Sequence, residues 1–342
     1  MPADPLKERV AALWARHLGS AEGLALTPCA VSGNNRVFVA RANGQAAIAK
    51  WYFAGPKDGR DRLESEWQFL SYAAAAQIAC VPRPLARDQA AGLALYELCD
   101  GVKPDRATIG PAAIDAAAAF FRALNQPAHR ALAARLPPAA EASFSPAGQI
   151  ALVDGRLQRL AGIPIAAPLD AAAAALVGAM NGYWSRLCRR LPDALAAQGI
   201  DPAAELPDRE RCISPSDFGF HNALIGPDGT IRFIDFEYGG WDDPVKMVCD
   251  FFLQPAVPVD PRHRDRFIAE ALGDCWDTEP LAARAGLMQP LFALKWCCIM
   301  LNPFVPDLAG RGRFADPSRD ENSRKRQRLA DASAAFHSLE GR

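Results

Sequence analysis

Residues 213–250 carry seven acids (Asp217, Asp228, Asp235, Glu237, Asp242, Asp243 and Asp250) against two bases (Arg232 and Lys246), a formal charge of −5 within one stretch. Several of these acids sit beside apolar strand residues, where an unpaired carboxylate is costly. A cation is needed to offset them, and Mg²⁺ suits the task because it favours carboxylate and phosphate oxygens. Asp217 and Asn222 fit D-x-x-x-x-N, the spacing of a phosphoryl-transfer loop in which the Asp takes a hydroxyl proton and the Asn holds metal. Beyond them, the turn Gly226-Pro-Asp-Gly229 joins expected strands at 222–225 and 230–236. That hairpin would fold Asp235 back beside Asn222, so that two oxygen ligands share one ion.

The complementary cation lies far upstream. Lys50, in Ala47-Ile-Ala-Lys50-Trp-Tyr, matches the V-A-I-K strand whose Lys meets the α- and β-phosphates of a nucleotide. Its acidic partner belongs on the next helix, expected over 61–76, where Glu64 and Glu66 compete. With Leu63 at 0°, Glu66 falls at about 300°, inside the apolar arc, and Glu64 at about 100°, outside it. A carboxylate on the buried face wants a cation, so Glu66 is the expected partner of Lys50 and Glu64 is expected to be solvated. Ser32-Gly33-Asn34-Asn35 lies between the first two strands, where a phosphate-covering loop belongs. Glu97 and Leu98 precede the joint, where backbone groups would read an adenine edge.

Elements that position these residues are legible around them. A short amphipathic helix is expected over 6–18, strands over 24–31, 36–41 and 46–52, with Asn43-Gly44 as a hairpin turn, and a further strand over 93–98. Pro82 and Pro84 read as a break. From about residue 104, Ala-rich helical segments dominate (112–125, 147–161, 170–199), and helices resume from 244, with Asp243 as N-cap and Pro244 in the first turn. The expected fold is therefore α+β and bilobal: a small β-rich N-lobe (1–97) that binds nucleotide, a hinge (98–104), and a larger, mainly helical C-lobe (105–342) with a catalytic β-hairpin.

Composition narrows the class. Of 342 residues, 50% are hydrophobic and 23% charged, with a net charge of −1, which is globular usage and argues against a nucleic-acid or anionic-membrane partner. The start of the chain lacks signal-peptide character and no apolar run nears the ~20 residues of a membrane span. Nine scattered cysteines without a C-x-x-C pair read as reduced thiols of a cytoplasmic protein.

With these motifs in order, the chain resembles the aminoglycoside phosphotransferase/choline kinase family, over about residues 24–255. The family's H-G-D-x-x-x-x-N loop is matched by Pro215-Ser216-Asp217…Asn222, and its I-D-F-E-Y-x-G by Ile234-Asp235-Phe236-Glu237-Tyr238-Gly239-Gly240. The resemblance implies a bilobal protein-kinase-like fold and an ATP- and Mg²⁺-dependent kinase of a small-molecule hydroxyl acceptor. It implies Asp217 as base, Asn222 and Asp235 as Mg²⁺ ligands, Lys50 and Glu66 as the phosphate-binding pair, and Ser32-Gly33-Asn34-Asn35 as the phosphate loop. Two positions depart. Pro215 replaces the His that braces the loop, and Met247 stands where the family's D-P-x-x-D has its second acid, with Asp250 one helical turn on. Pro215 is what supports the alternative, a nucleotide-binding pseudokinase acting as a regulatory module.

The acceptor pocket is expected in the helical lobe. Lys295 and Asn302 are seven apart in an apolar helix, hence on one face. Two readings stand open: both face a polar acceptor cavity, or Lys295 is paired with a core acid such as Asp250. A buried Lys argues against a strongly cationic acceptor and for an anionic or neutral sugar, polyol or glycan precursor. Trp241 and Asp242 either border the acceptor or form a surface turn. His221 is expected to pack or to bond backbone, and the basic run Arg324, Lys325, Arg326, Arg328 to be a solvated helix face.

Overall fold

The computed structural model describes residues 5–29, 35–53, 59–306, 308, 314–315 and 320–341. Ser32, Gly33 and Asn34 of the expected phosphate loop lie outside the described residues.

The small lobe is built on a five-stranded antiparallel sheet in the order β1-β2-β3-β5-β4. Its strands are β1 (Ala25–Pro28), β2 (Arg36–Ala42), β3 (Gln45–Trp51), β4 (Pro84–Asp88) and β5 (Leu93–Glu97). Asn43 and Gly44 both take positive φ (50° and 75°), the left-handed pair that a tight hairpin between twisted strands requires. β4 corrects the reading of Pro82 and Pro84 as a break. Pro84 opens an edge strand, where its missing N–H sacrifices no ladder bond. Helix α1 (Pro5–His17) buries Leu6, Val10, Leu13 and Trp14 in a satellite core with Phe38, Ala40 and Leu95 of the sheet. Helix α2 (Arg62–Ala75), capped by Asp61, joins the main core instead through Leu63, Phe69 and Leu70.

The large lobe is helical: α3 (Pro111–Leu124), α4 (Pro127–Arg130), α5 (Pro146–Ala161), α6 (Pro168–Ala197), α7 (Pro244–Leu253), α8 (Arg264–Leu272), α9 (Thr278–Met300) and α10 (Glu321–Glu340). Proline opens α3, α5, α6 and α7, where its fixed φ and absent donor are harmless. Asp243 caps α7 by accepting from Val245 N–H at 2.8 Å. Between α6 and α7 lie two short ladders, β6 (Cys212–Ser214) with β9 (Gly240–Asp242) and β7 (Ala223–Ile225) with β8 (Ile231–Phe233). β8 stops short of the expected 236 because Asp235 leaves the ladder at φ 70°.

Aromatic packing fixes the two loop aspartates. Asp217 is followed by Phe218 and Asp235 by Phe236, both buried. Phe236 stacks on Phe69 of α2 at 4.8 Å, while Phe218 meets Phe233 at 5.4 Å and Phe251 of α7 at 4.9 Å. Each carboxylate therefore stands on a backbone anchored by its neighbouring ring. Val102, between the lobes, exchanges two backbone hydrogen bonds with Ile225, at 3.0 and 2.9 Å. Gly101 permits this approach: its φ is 150°, and a Cβ there would lie 2.7 Å from the Ile225 carbonyl oxygen.

Candidate active site

β3 presents Lys50 and α2 presents Glu66 to each other. Lys50 Nζ donates to Glu66 Oε2 at 2.6 Å and to Asp235 Oδ1 at 2.5 Å, and Glu237 Oε2 stands 3.8 Å away. Burial alone would lower the Lys50 pKa, but Asp235, Glu66 and Glu237 together hold it well above its ordinary value. Tyr52 donates to Glu66 at 2.6 Å, and Phe236 N–H donates to it at 3.2 Å, so Glu66 is orientated from both lobes. Glu64, expected to be solvated, keeps a third of its side chain exposed while forming an ion pair with Arg87, which also lies over the Trp67 ring.

Glu237 is the acid for which sequence reasoning had no role. It is 1% exposed, and burial pushes its carboxyl up. Asn35 Nδ2 donates to it, and Asn35 Oδ1 accepts from Phe53 N–H at 3.2 Å. Asn35 was expected to face phosphates with the rest of its loop. Its amide is instead committed inward, because a buried carboxylate needs a donor.

Asp217 begins the second half of the site. Its carboxylate is about a third exposed (34%), shares a hydrogen bond with His221 Nε2 at 3.1 Å and accepts from Asn222 Nδ2 at 3.4 Å. Burial raises its pKa, yet His221, Asn222 and Lys246 outweigh that and hold the carboxyl below its ordinary value. His221 thus touches the expected base rather than backbone. Ile234 N–H donates to Asn222 O at 2.9 Å, which closes the hairpin and carries Asp235 beside Asn222.

These residues suit a hard divalent cation. Asn222 turns its Nδ2 toward Asp217, leaving its oxygen as the metal-facing donor, and Asp235 offers a carboxylate that is a third exposed. Oxygens of Glu66, Asp235 and Glu237 all lie within 4.8 Å of one another beside the Lys50 ammonium, and the Arg62 charge also acts on Glu237. Asp235, the most exposed carboxylate of the three, is the one placed to meet an added cation.

The bracing expected of a loop His comes from elsewhere. Ser216, at φ 66°, donates from its hydroxyl to Ala140 O at 3.1 Å and accepts from Lys246 Nζ at 2.9 Å. Lys246 is 1% exposed and also meets Asp242 at 2.8 Å and Asp250 at 3.5 Å. Asp250 in turn binds Lys295 at 2.7 Å and accepts from Trp296 Nε1 at 2.9 Å. A buried chain of alternating charge thus runs from α9 through α7 to the loop.

Both halves open on one cavity of about 790 Å³. Lys50, Glu66, Glu97, Leu98, Asp217, Asn222, Asp235 and Asn302 line it. Glu97 lines it with its carboxylate on Arg83 and Arg232. Of the two readings open for Lys295, the ion pair with Asp250 is the one seen, and Trp241 and Asp242 do not line the cavity. Lys295 does not line the cavity, because it is consumed by Asp250. It does not share a face with Asn302 either, since α9 ends at Met300 and Asn302 starts a separate 3₁₀ turn before Pro303. Asp242 is fully buried on Lys246, and Trp241 packs away with its Nε1 on Ala133 O and Arg130 over its ring. Conversely, Arg324 and Arg328, expected to be solvated, line the cavity. Their spacing puts them one helical turn apart on one face, but nothing local in the sequence says that this face meets a cavity.

No protein-family model matches the sequence, and no curated protein does. Solved structures do match. Choline kinase from Cryptosporidium parvum aligns over 97% of this chain and 96% of its own, with a TM-score of 0.58 and 13% identity. Choline kinase LicA from Streptococcus pneumoniae aligns over 97% and 98%, with a TM-score of 0.58 and 15% identity. Spectinomycin phosphotransferase, in complex with ADP and spectinomycin, aligns over 98% and 99%, with a TM-score of 0.59 and 12% identity. Sheet, hairpins and helical lobe together give this chain the bilobal protein-kinase-like fold shared by choline kinases and aminoglycoside phosphotransferases.

Proposed function

We propose that this protein is an ATP- and Mg²⁺-dependent phosphotransferase that moves the γ-phosphoryl group to a hydroxyl of a small molecule. The observation that carries this reading is that Asp217 opens on the same cavity as the Lys50–Glu66–Asp235 cluster. In this reading residues 1–97 form the nucleotide lobe, 98–104 the hinge and 105–342 the catalytic and acceptor lobe. Lys50 binds the α- and β-phosphates, and Glu66 fixes the direction of its ammonium. Glu97 and Leu98 border the base. Asn222 and Asp235 would hold Mg²⁺, which when bound neutralises phosphate charge. Asp217 accepts the proton of the acceptor hydroxyl, whose oxygen attacks the γ-phosphorus as the bond to the ADP oxygen breaks. Positioning supplies most of the rate, because phosphoryl transfer asks for little covalent help.

The nine cysteines are all free thiols, which fits a reducing compartment such as the cytoplasm. Among the described residues no helix is long and apolar enough to cross a membrane. The pseudokinase alternative rests on Pro215, and the Ser216–Lys246 hydrogen bond, which holds the loop in place of the His, favours the enzyme reading. α7 begins only two residues after β9, leaving no room for a protein-kinase activation segment and favouring a small acceptor. ADP release from Mg-ATP, measured across pools of hydroxyl compounds with and without Mg²⁺, tests the proposal. Metal-dependent turnover with one pool supports it; absence of Mg-ATP binding contradicts it.

A further inference from the structure

The turn that carries Asp235 is held from outside itself. Asp235 takes φ 70°, a left-handed backbone that a non-glycine residue keeps only where its surroundings fix it. Residues 234–239 connect β8 to β9, and α2 supports them at two points. Phe236 N–H donates to Glu66 while its ring stacks on Phe69. Gly239 lies so close to Phe69 that a Cβ there would run into the ring.

Arg60, two residues before α2, grips the backbone of this turn directly. Its Nε donates to Glu237 O at 3.0 Å, its Nη2 to Gly239 O at 2.8 Å and its Nη1 to Pro138 O at 2.9 Å. A planar guanidinium with fixed donor directions suits three separate carbonyls. Pro138 belongs to a segment paired with the same turn. Trp241 N–H donates to Pro137 O at 2.9 Å, Ala139 N–H to Trp241 O at 2.7 Å and Ala140 N–H to Tyr238 O at 2.9 Å. Ser216, next to Asp217, also donates to Ala140 O. One side chain from the small lobe therefore spans the two segments on which both loop aspartates rest. Arg60 does not line the cavity, so any influence on a ligand passes through these carbonyls.

Building on the phosphotransferase reading, in which Asp235 holds Mg²⁺, we infer that Arg60 is a positioning residue for that metal site. By pinning the carbonyls of Glu237 and Gly239 it keeps the turn in the shape that presents the Asp235 carboxylate to the cation. The sign of its effect is diagnostic. The three carbonyls are neutral and leave the guanidinium charge in place, and a positive charge near a cation site repels the cation. If charge alone mattered, removing Arg60 would tighten metal binding. As the holder of the turn it does the opposite, and its removal weakens metal binding.

Binding of Mn²⁺ to the full chain loaded with ADP, followed by electron paramagnetic resonance, reads this without turnover. Arg60→Met should weaken Mn²⁺ about tenfold or more, while ADP affinity without metal stays within about twofold. Arg60→Lys keeps the charge but not the planar fork, so it should weaken Mn²⁺ in the same direction by less; it also serves where the Met variant fails to fold. Arg60→Met combined with Asp235→Asn should bind Mn²⁺ no more weakly than Asp235→Asn alone, since both changes act on one carboxylate. Unchanged or tighter Mn²⁺ binding, an equal loss of metal-free ADP, or additive losses in the double variant would overturn the inference. Failure of the phosphotransferase reading has a different signature: Asp235→Asn then binds Mn²⁺ as well as the natural chain does, whatever Arg60 does.

Discussion

Lys50 and Asp235, 185 residues apart in sequence, meet at 2.5 Å and join the sheet of the small lobe to the hairpin of the large one. The same ammonium holds Glu66 at 2.6 Å, so strand, helix and hairpin converge on one atom. This convergence places a cation and an exposed carboxylate side by side at the mouth of a cavity whose other wall carries Asp217.

Removing that cation takes the ammonium from Glu66, Asp235 and Glu237 at once. Lys50→Met should lower stability by about 3 kcal/mol, the cost of leaving buried charges unpaired, read from urea unfolding. Mg-ATP affinity should fall in the same variant, since the phosphates lose their lysine. Unchanged nucleotide affinity would move the phosphates away from Lys50.

The brace predicts a pH-dependent defect. Burial raises the pKa of Asp242, and Lys246 opposes the rise. Lys246→Met should therefore lift that pKa further and cost about 3–5 kcal/mol at neutral pH. A carboxyl whose folded pKa exceeds its unfolded one favours the folded state at low pH, and that contribution is lost as pH climbs through the folded value. The deficit should accordingly shrink on acidification from pH 7 toward 5. A deficit independent of pH would mean that packing, not charge, carries the effect.

His221 governs the acid side of the activity. Because the Asp217 carboxyl lies below its ordinary value, the acid limb of kcat/KM should fall below the usual aspartate pKa of about 4. In His221→Ala the lowering influence is lost, so the limb should move to higher pH. A limb that stays in place would exclude His221 as the residue that tunes the base.

Asn35 offers a separate check on the loop. Asn35→Ala leaves the buried Glu237 without the amide that donates to it, a loss of about 1–3 kcal/mol in unfolding free energy. The loop it anchors should then hold nucleotide less well, raising the KM for ATP more than it changes kcat. The reverse pattern would assign Asn35 a direct part in transfer.

What was legible in the sequence divides by the range over which a partner can be read. Glu66 could be told from Glu64 because helical phase is a local property and only Glu66 lies on the apolar face. The nearness of Asn222 and Asp235 followed from a tight turn between two short strands. The Lys295–Asp250 pair was one of the two readings open from sequence, but Lys246 and Asp242 were visible only as charges and not as a brace, because Ser216 reaches Lys246 from a distant element. Lys295 and Asn302 misled for a physical reason: Pro303 ends the helix, and the seven-residue spacing no longer marks one face. Arg324 and Arg328 were discounted as a charged surface run, since nothing local says which helix face meets a cavity. β4 was hidden by Pro84, whose tolerance at an edge depends on the order of strands.

The central claim is that Asp217 performs proton transfer in a site assembled to move phosphate, and Asp217→Asn tests it most directly. With the acceptor identified by ADP release, the variant should bind Mg-ATP within about twofold of the natural chain while kcat falls by about 10²–10⁴, the range expected for a lost general base. A variant that turns over at the natural rate, with nucleotide and acceptor both bound, would contradict it.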